Sequence, residues 1–326
     1  VMPGRPNGSF AEPDWLGFFS VLILIFVFTA LYRLLKSTER DVVIPPLQIF
    51  WQIFLLIPVF TALILTASRS AWLAAFVGLI VWTSVAIFSE GKNSLRRILQ
   101  SVQILVITAV VALVIVIDVP LTRFDLLNRA ESTATGFQEI TVACETFTNL
   151  PEVINSIDDL RAFSCRHIDL EERALLTAAG FSIQTVQRPD PNIAIRSEIY
   201  RQTWSEIRAH PVLGIGWGNI GVILGRDENG AAYNASNIWL EVLLGAGLLG
   251  LLGLAGVFGE IIVQAGRECF SRKSGQTQSQ LALVLAVLSA FFVFNLFNAG
   301  LLIGFVWIAF SAVPAILLKH ETKELL

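Results

Sequence analysis

Residues 47–88 read LQIFWQIFLLIPVFTALILTASRSAWLAAFVGLIVWTSVAIF, and Arg69 is the single charge in the whole stretch. About 20 apolar residues in a helix cross a hydrocarbon core ~30 Å thick. The stretch is therefore long enough to cross twice, with Thr66-Ala67-Ser68-Arg69-Ser70 as the polar turn between the two crossings. The rest of the chain agrees. Of 326 residues 54% are hydrophobic and 15% are charged, and the mean hydropathy is +0.67. Such a composition has too little polar surface to coat a water-soluble core of this size. Gly, Pro and Cys are all modest in number, which excludes collagen, a low-complexity chain and a disulfide-built mini-domain. The net charge of −3 gives no argument for a nucleic-acid partner. The chain is expected to be an all-α, polytopic transmembrane helix bundle whose surroundings are membrane lipids.

Reading outward from the hairpin gives about seven spans, near 16–35, 47–67, 71–88, 98–117, 238–259, 280–296 and 301–318. The last two share the charge-free stretch 274–318, which Asn295, Asn298 and Gly300 break into two. All five lysines lie after spans one, three, five and seven, at Lys36, Lys92, Lys273, Lys319 and Lys323. Basic residues collect in cytoplasmic loops, so these four segments face inward and the alternate connections face outward. Three regions follow: a membrane region 1–118 with four spans, a long external loop 119–236, and a membrane region 237–326 with three. The loop holds ten Arg against fifteen Asp plus Glu and no Lys. The chain begins at Val1, and residues 1–14 would have to lie outside with no preceding segment to carry them across. A longer membrane protein with further upstream spans is expected; the alternative is a seven-span protein with a misread start.

A loop of this length is functional or disordered, and several features argue for order. Cys144 and Cys165 both lie in it, where a disulfide is permitted, two free thiols being the alternative. A helix is expected from 193 to 209, with Ile195, Ile199, Tyr200, Trp204 and Ile207 on one face lying at the membrane surface. His210-Pro211 ends it, and Gly214, Gly216 and Gly218 turn the chain back. Gly247, Gly250, Gly253, Gly256 and Gly259 recur every third residue along span five, a spacing that suits close helix packing. Arg69 either snorkels to the outer headgroups or marks a site. A lone charge at membrane depth is expensive, and a guanidinium grips phosphate oxygens in pairs. Glu241, in the first turn of span five, is a solvated anchor or a ligand-facing carboxylate.

Four stretches together resemble the O-antigen ligase and O-antigen polymerase superfamily of bacterial membrane glycosyltransferases, over nearly the whole chain and in order. They are the segment from Gly4-Arg5-Pro6 to Pro13-Asp14; Ser68-Arg69-Ser70-Ala71-Trp72; Arg196-Ser197-Glu198 through His210-Pro211-Val212-Leu213-Gly214-Ile215-Gly216; and Asn237-Ile238-Trp239-Leu240-Glu241 followed by Gly247-Leu248-Leu249-Gly250. The family has about ten to twelve spans, so the resemblance implies that this is the C-terminal part. It also implies a chemistry without metal or cofactor at the outer face of the bacterial inner membrane. There, oligosaccharide is transferred or polymerised from undecaprenyl pyrophosphate onto a glycan or lipid-linked acceptor. Arg69 and Arg196 take the family's pyrophosphate-binding and catalytic role, with Arg201, Arg5 and Asn237 as further substrate-binding candidates. Glu241 or Glu198 is the candidate base. One departure is plain. Ligases of the family place His immediately before the Asn of the fourth stretch, and here that position is Ser236, which cannot replace imidazole as a base at neutral pH. This leans toward a polymerase-like or other ligase-like member. A bicarbonate-uptake-like transporter and a catalytically silent membrane protein are the alternatives.

The expected sidedness has a direct test. A topology reporter fused at Asn155 should read as external, and a cytoplasmic signal there would overturn the assignment.

Overall fold

The computed structural model of the chain describes residues 8–10, 12–38, 46–117, 135–147, 149–168, 172–189, 191–226, 232–270, 275–300 and 304–308. Arg5 and most of the expected seventh span lie outside the described residues. Among the described residues six helices are long and apolar enough to cross a membrane. They are α1 (Pro13–Thr38), α2 (Pro46–Leu65), α3 (Arg69–Glu90), α4 (Leu95–Ile117), and, beyond the loop, α8 (Ile238–Phe270) and α9 (Gly275–Asn295). The protein is an all-α, multi-pass bundle, as composition alone requires, because only helices and closed barrels satisfy every backbone group in lipid.

The centre of the bundle is the contact of α3 with α9. Ala71, Ala74, Ala75 and Gly78 are buried along α3 at helical spacing, and Ala282, Ala286 and Ala290 are buried on α9. A Cβ on Gly78 would lie 2.9 Å from Ile25 of α1 and 3.2 Å from the Ala286 carbonyl. Small residues therefore set the approach of three helices here, since lipid provides no hydrophobic drive for one apolar helix to prefer another. Large rings fill what remains: Phe18 stacks on Phe294 at 4.5 Å, and Trp82 sits edge-on to Phe28 at 4.8 Å. At one end of the bundle Glu90 accepts from Lys36 (2.6 Å), Tyr32 (2.8 Å) and Arg97 (3.3 Å), and Gln278 donates to the Ser89 carbonyl. The ends of α1 and α3 and the starts of α4 and α9 thus meet at one level, as the alternation of basic loops requires.

The long loop is ordered over most of its described length. A three-stranded antiparallel sheet, in the order β2–β1–β3, is formed by β1 (Phe137–Cys144), β2 (Cys165–His167) and β3 (Ser182–Pro189). Cys144 and Cys165 face each other in register on β1 and β2 and form a disulfide. A short helix, α5 (Arg173–Ala178), connects β2 to β3. Ile140, Val142 and Val186 form one small core with Ile154 and Leu160, while Ala143, Ile168 and Leu176 form another. Because β1 is buried on both faces over 140–144, it lacks the apolar–polar alternation that would announce a strand.

Beyond the sheet come α6 (Pro191–Ala209) and the single-turn α7 (Ile220–Leu224). The face that α6 buries differs from the expected one. Ile199, Thr203 and Ile207 are buried, against Ile220 and Leu224 of α7 and Leu244 of α8, whereas Ile195 and Trp204 are exposed. Docking on protein takes a narrower stripe than lying on a membrane surface, which accounts for the difference.

Helix α8 is broken at Gly247, which has φ 64° and ψ −163°. Trp239 stacks on Phe292 at 5.6 Å, and Phe258 lies against the same ring at 4.9 Å. A straight helix would separate residues 239 and 258 by about 28 Å, so the two halves fold back toward one another. The segment after α6 fills the break. Ile215 and Gly216 donate to the carbonyls of Leu244 and Gly245 at 2.8 and 3.0 Å, and Leu248 and Leu249 donate to Pro211 and Val212 at 2.9 and 3.3 Å. Each half-helix leaves orphan backbone groups at the break, and one inserted segment satisfies both sets. A Cβ on Gly214 would lie 2.5 Å from the Leu244 carbonyl, and one on Gly247 would collide with the Val212 carbonyl. By contrast, no described atom comes within 4 Å of a Cβ at Gly253, Gly256 or Gly259. The three-residue glycine spacing is therefore not a packing stripe along its whole length.

Gly247→Ala should cost ~3 kcal/mol or more, since the new Cβ meets backbone and the residue has positive φ. Gly253→Ala should be neutral or stabilising by up to ~1 kcal/mol. Thermal unfolding in detergent distinguishes them; equal midpoints for the two variants would show that the junction contributes nothing special.

Candidate functional site

Arg69 opens α3 at the bundle end opposite Glu90. The turn before it is tightly built. Ala67 has φ 46°, the Thr66 hydroxyl donates to the Leu63 carbonyl at 2.8 Å, and the Trp72 indole donates to the same carbonyl at 2.9 Å. Ser68 caps α3 by accepting from the Ala71 amide at 3.4 Å. A Cβ on Gly17 of α1 would lie 3.0–3.2 Å from Ala71, Thr66 and Ser68, so α1 presses directly on the turn. Thr66, Ala67 and Ser68 are buried while Arg69 is exposed. A buried backbone thus presents the guanidinium outward at a helix N-terminus, where the helix dipole adds positive potential.

Two further elements converge on this end. The amide nitrogen of Asn298, just past α9, donates to Ser70 Oγ at 3.0 Å. The side chain of Asn237 caps α8 by accepting from Trp239 and Leu240 (2.9 and 3.2 Å) and donates to the Leu296 carbonyl at 2.9 Å. One turn on, Glu241 is 6% exposed, and its Oε2 accepts from the Ala235 amide at 2.6 Å. Between them Ser236 holds φ 51°, a left-handed conformation that few non-glycine residues adopt. Residues 294–298 therefore connect the turn of Arg69 to the start of α8 that carries Asn237 and Glu241. Asn237, expected among the substrate contacts, uses both ends of its amide within the fold.

The charged residues of α6 separate by face. Arg196 precedes Ile199 by three residues and Thr203 by seven, so it continues the docked stripe toward the side of α8. Arg196 is exposed and makes no ion pair with a described residue. Arg201 emerges on the opposite side and grips Glu198 through two bonds of 2.5 and 2.8 Å, while Gln202 adds a third at 2.7 Å. These bonds hold the Glu198 carboxyl down at about 2, and Glu198 in turn raises the pKa of Arg201. Glu198 is thus a poor proton acceptor, and Arg201 has its charge matched by an adjacent carboxylate.

Below the Arg69 turn, an apolar groove of about 500 Å³ runs along α1 and α2, lined by Leu16, Phe54, Ile57, Pro58, Thr61 and Leu65 among others. Among the described residues no group of three His, Cys, Asp or Glu side chains is placed to hold a metal ion. Three features were not read from the sequence: the Asn298–Ser70 bond, the backbone junction of 211–216 with the α8 break, and the fold-back of α8. The isolated polar residues Asn295 and Asn298 within a charge-free stretch were the available signal for the first.

Comparison with known families gives one match: the model of the O-antigen ligase family matches residues 53–255. The match runs from α2 into α8 and includes Arg69, Arg196, Asn237 and Glu241. No curated protein and no solved structure matches the chain.

The carboxyl of Glu198 falls from 4.5 to about 2 on folding, so its bond to Arg201 contributes fully above pH ~4.5 and is lost as the pH falls through about 2. A carboxyl-carbon titration of Glu198 should show it still ionised at pH ~3.5; a midpoint near 4.5 would show the pair to be unformed in solution.

Proposed function

The chain belongs to the O-antigen ligase family of membrane glycosyltransferases, and from that premise we propose that it acts on an oligosaccharide carried by undecaprenyl pyrophosphate. The reaction takes place at the outer face of the bacterial cytoplasmic membrane. The observation that carries the reading is Arg69, an exposed guanidinium carried by the first residue of a 22-residue helix on a turn of buried backbone. A pyrophosphate leaving group needs preorganised positive charge where its own charge develops. Arg69 and the α3 N-terminus supply it at headgroup level, and the apolar groove beside α2 gives the carrier's hydrocarbon a place to lie. Arg196, projecting from the docked stripe of α6, is the second cation. Arg5 lies outside the described residues, and Arg201 is turned away and paired with Glu198.

In the transfer, the bond between the sugar C1 and the carrier phosphate oxygen breaks, and its electron pair leaves with the pyrophosphate. The acceptor hydroxyl oxygen forms the new bond to C1 and gives up its proton. With Ser236 at the position of the ligase His and Glu198 held by Arg201, Glu241 is the proposed acceptor of that proton. Its place one turn into α8, beside the cap residue Asn237, puts it at the same end of the bundle as Arg69. No metal or organic cofactor is invoked, and the acceptor is a glycan or a lipid-linked glycan.

The full chain, reconstituted with undecaprenyl-pyrophosphate oligosaccharide, provides the test. Arg69→Ala and Arg196→Ala should each reduce transfer at least about 100-fold at unchanged protein level, and Arg201→Ala by no more than about threefold. Full activity in the Arg69/Arg196 double variant would sink the assignment.

A further inference from the structure

We infer that Asn298 is a positioning residue for Arg69, acting through Ser70. The inference rests on the reading of Arg69 as a pyrophosphate ligand.

Asn298 is 9% exposed and lies outside the stretch matched to the family. Its amide nitrogen makes two bonds, one back to the Phe294 carbonyl at 2.9 Å and one to Ser70 Oγ at 3.0 Å. The Ser70 hydroxyl in turn lies 3.2 Å from that of Ser68, the capping residue of α3. The hydroxyls on either side of Arg69 are thus tied to each other and, through Asn298, to α9. The end of α9 is itself held in shape. Asn295 donates to the Phe291 carbonyl at 2.9 Å and accepts from the Gly300 amide at 2.8 Å. A Cβ on Gly300 would come within 2.9 Å of Trp15, so this return is fixed against α1 as well.

A guanidinium stabilises a developing charge only if its backbone does not move to meet it. Ser68 fixes the helix start along the α3 axis, while Asn298 fixes the turn laterally against α9. The same α9 end accepts from Asn237 through Leu296, so one stretch sets the spacing between Arg69 and the start of α8. Loss of the Asn298–Ser70 bond frees the lateral position of Arg69 while the α3–α9 packing remains.

The test uses the full chain in nanodiscs, with undecaprenyl pyrophosphate as the binding probe and the lipid-linked oligosaccharide as the donor for turnover. Asn298→Ala should weaken probe binding and raise the donor KM about tenfold, with the acceptor KM unchanged. Ser70→Ala reports the same bond from its other partner, should one variant fail to fold. The double variant should fall well short of the product of the two single effects, since the Asn298–Ser70 bond is lost in each. Equal loss for donor and acceptor, multiplicative effects in the double variant, or single variants that bind as wild type would overturn the positioning role. Arg69→Ala would still abolish binding in that case and the reading of Arg69 would stand. A wild-type protein that bound no undecaprenyl pyrophosphate would overturn that reading, and this role with it.

Discussion

Four main-chain hydrogen bonds between residues 211–216 and residues 244–249 tie the end of the long loop to the helix bundle. They exist because α8 is interrupted at Gly247, and an interrupted helix in or near lipid has carbonyls and amides that nothing but protein can satisfy. The segment after α6 supplies amides to one half-helix and carbonyls to the other. That places α6 against the first half of α8, and so places Arg196. It also requires glycine where the two backbones touch, at Gly214 and Gly247, since a side chain on either would meet main chain. Gly214 and Gly247 therefore mark a contact between two backbones.

The two ends of the bundle are organised by different means. At one end a carboxylate, Glu90, gathers Lys36, Arg97 and Tyr32, so charged groups from three helices meet there. At the other end, serine and asparagine side chains bond to one another and to main-chain carbonyls, fixing the backbone from which the exposed Arg69 projects.

Much of the candidate site was legible because its residues are chemically conspicuous. Arg69 is the lone charge between Asp41 and Glu90, and a single guanidinium in such a setting attracts attention whatever the fold. The resemblance set Arg196 ahead of Arg201, but spacing alone did not show which of Arg196, Glu198 and Arg201 lies beside the docked face of the helix. Their surroundings divide once the buried stripe is Ile199–Thr203–Ile207, and that stripe depends on what α6 docks against. Asn298 was legible only as the breaker of a long apolar stretch, since its bond to Ser70 joins residues 228 positions apart.

The sequence by itself determined the membrane class and where the six long apolar helices among the described residues lie, although not that the fifth is broken. Lipid imposes a local requirement, a sufficient length of apolar residues, and each segment meets it without reference to any other; the expected span 98–117 and the helix Leu95–Ile117 differ by three residues at one end. The tertiary structure decided where α8 breaks and folds back, which strands pair in the loop, which face of α6 is buried, and what holds the turn of Arg69. Each of these is a contact between distant segments, made by main-chain groups that every residue carries or by small polar side chains that are common everywhere. Such groups acquire meaning from the geometry that brings them together, and composition has no record of it.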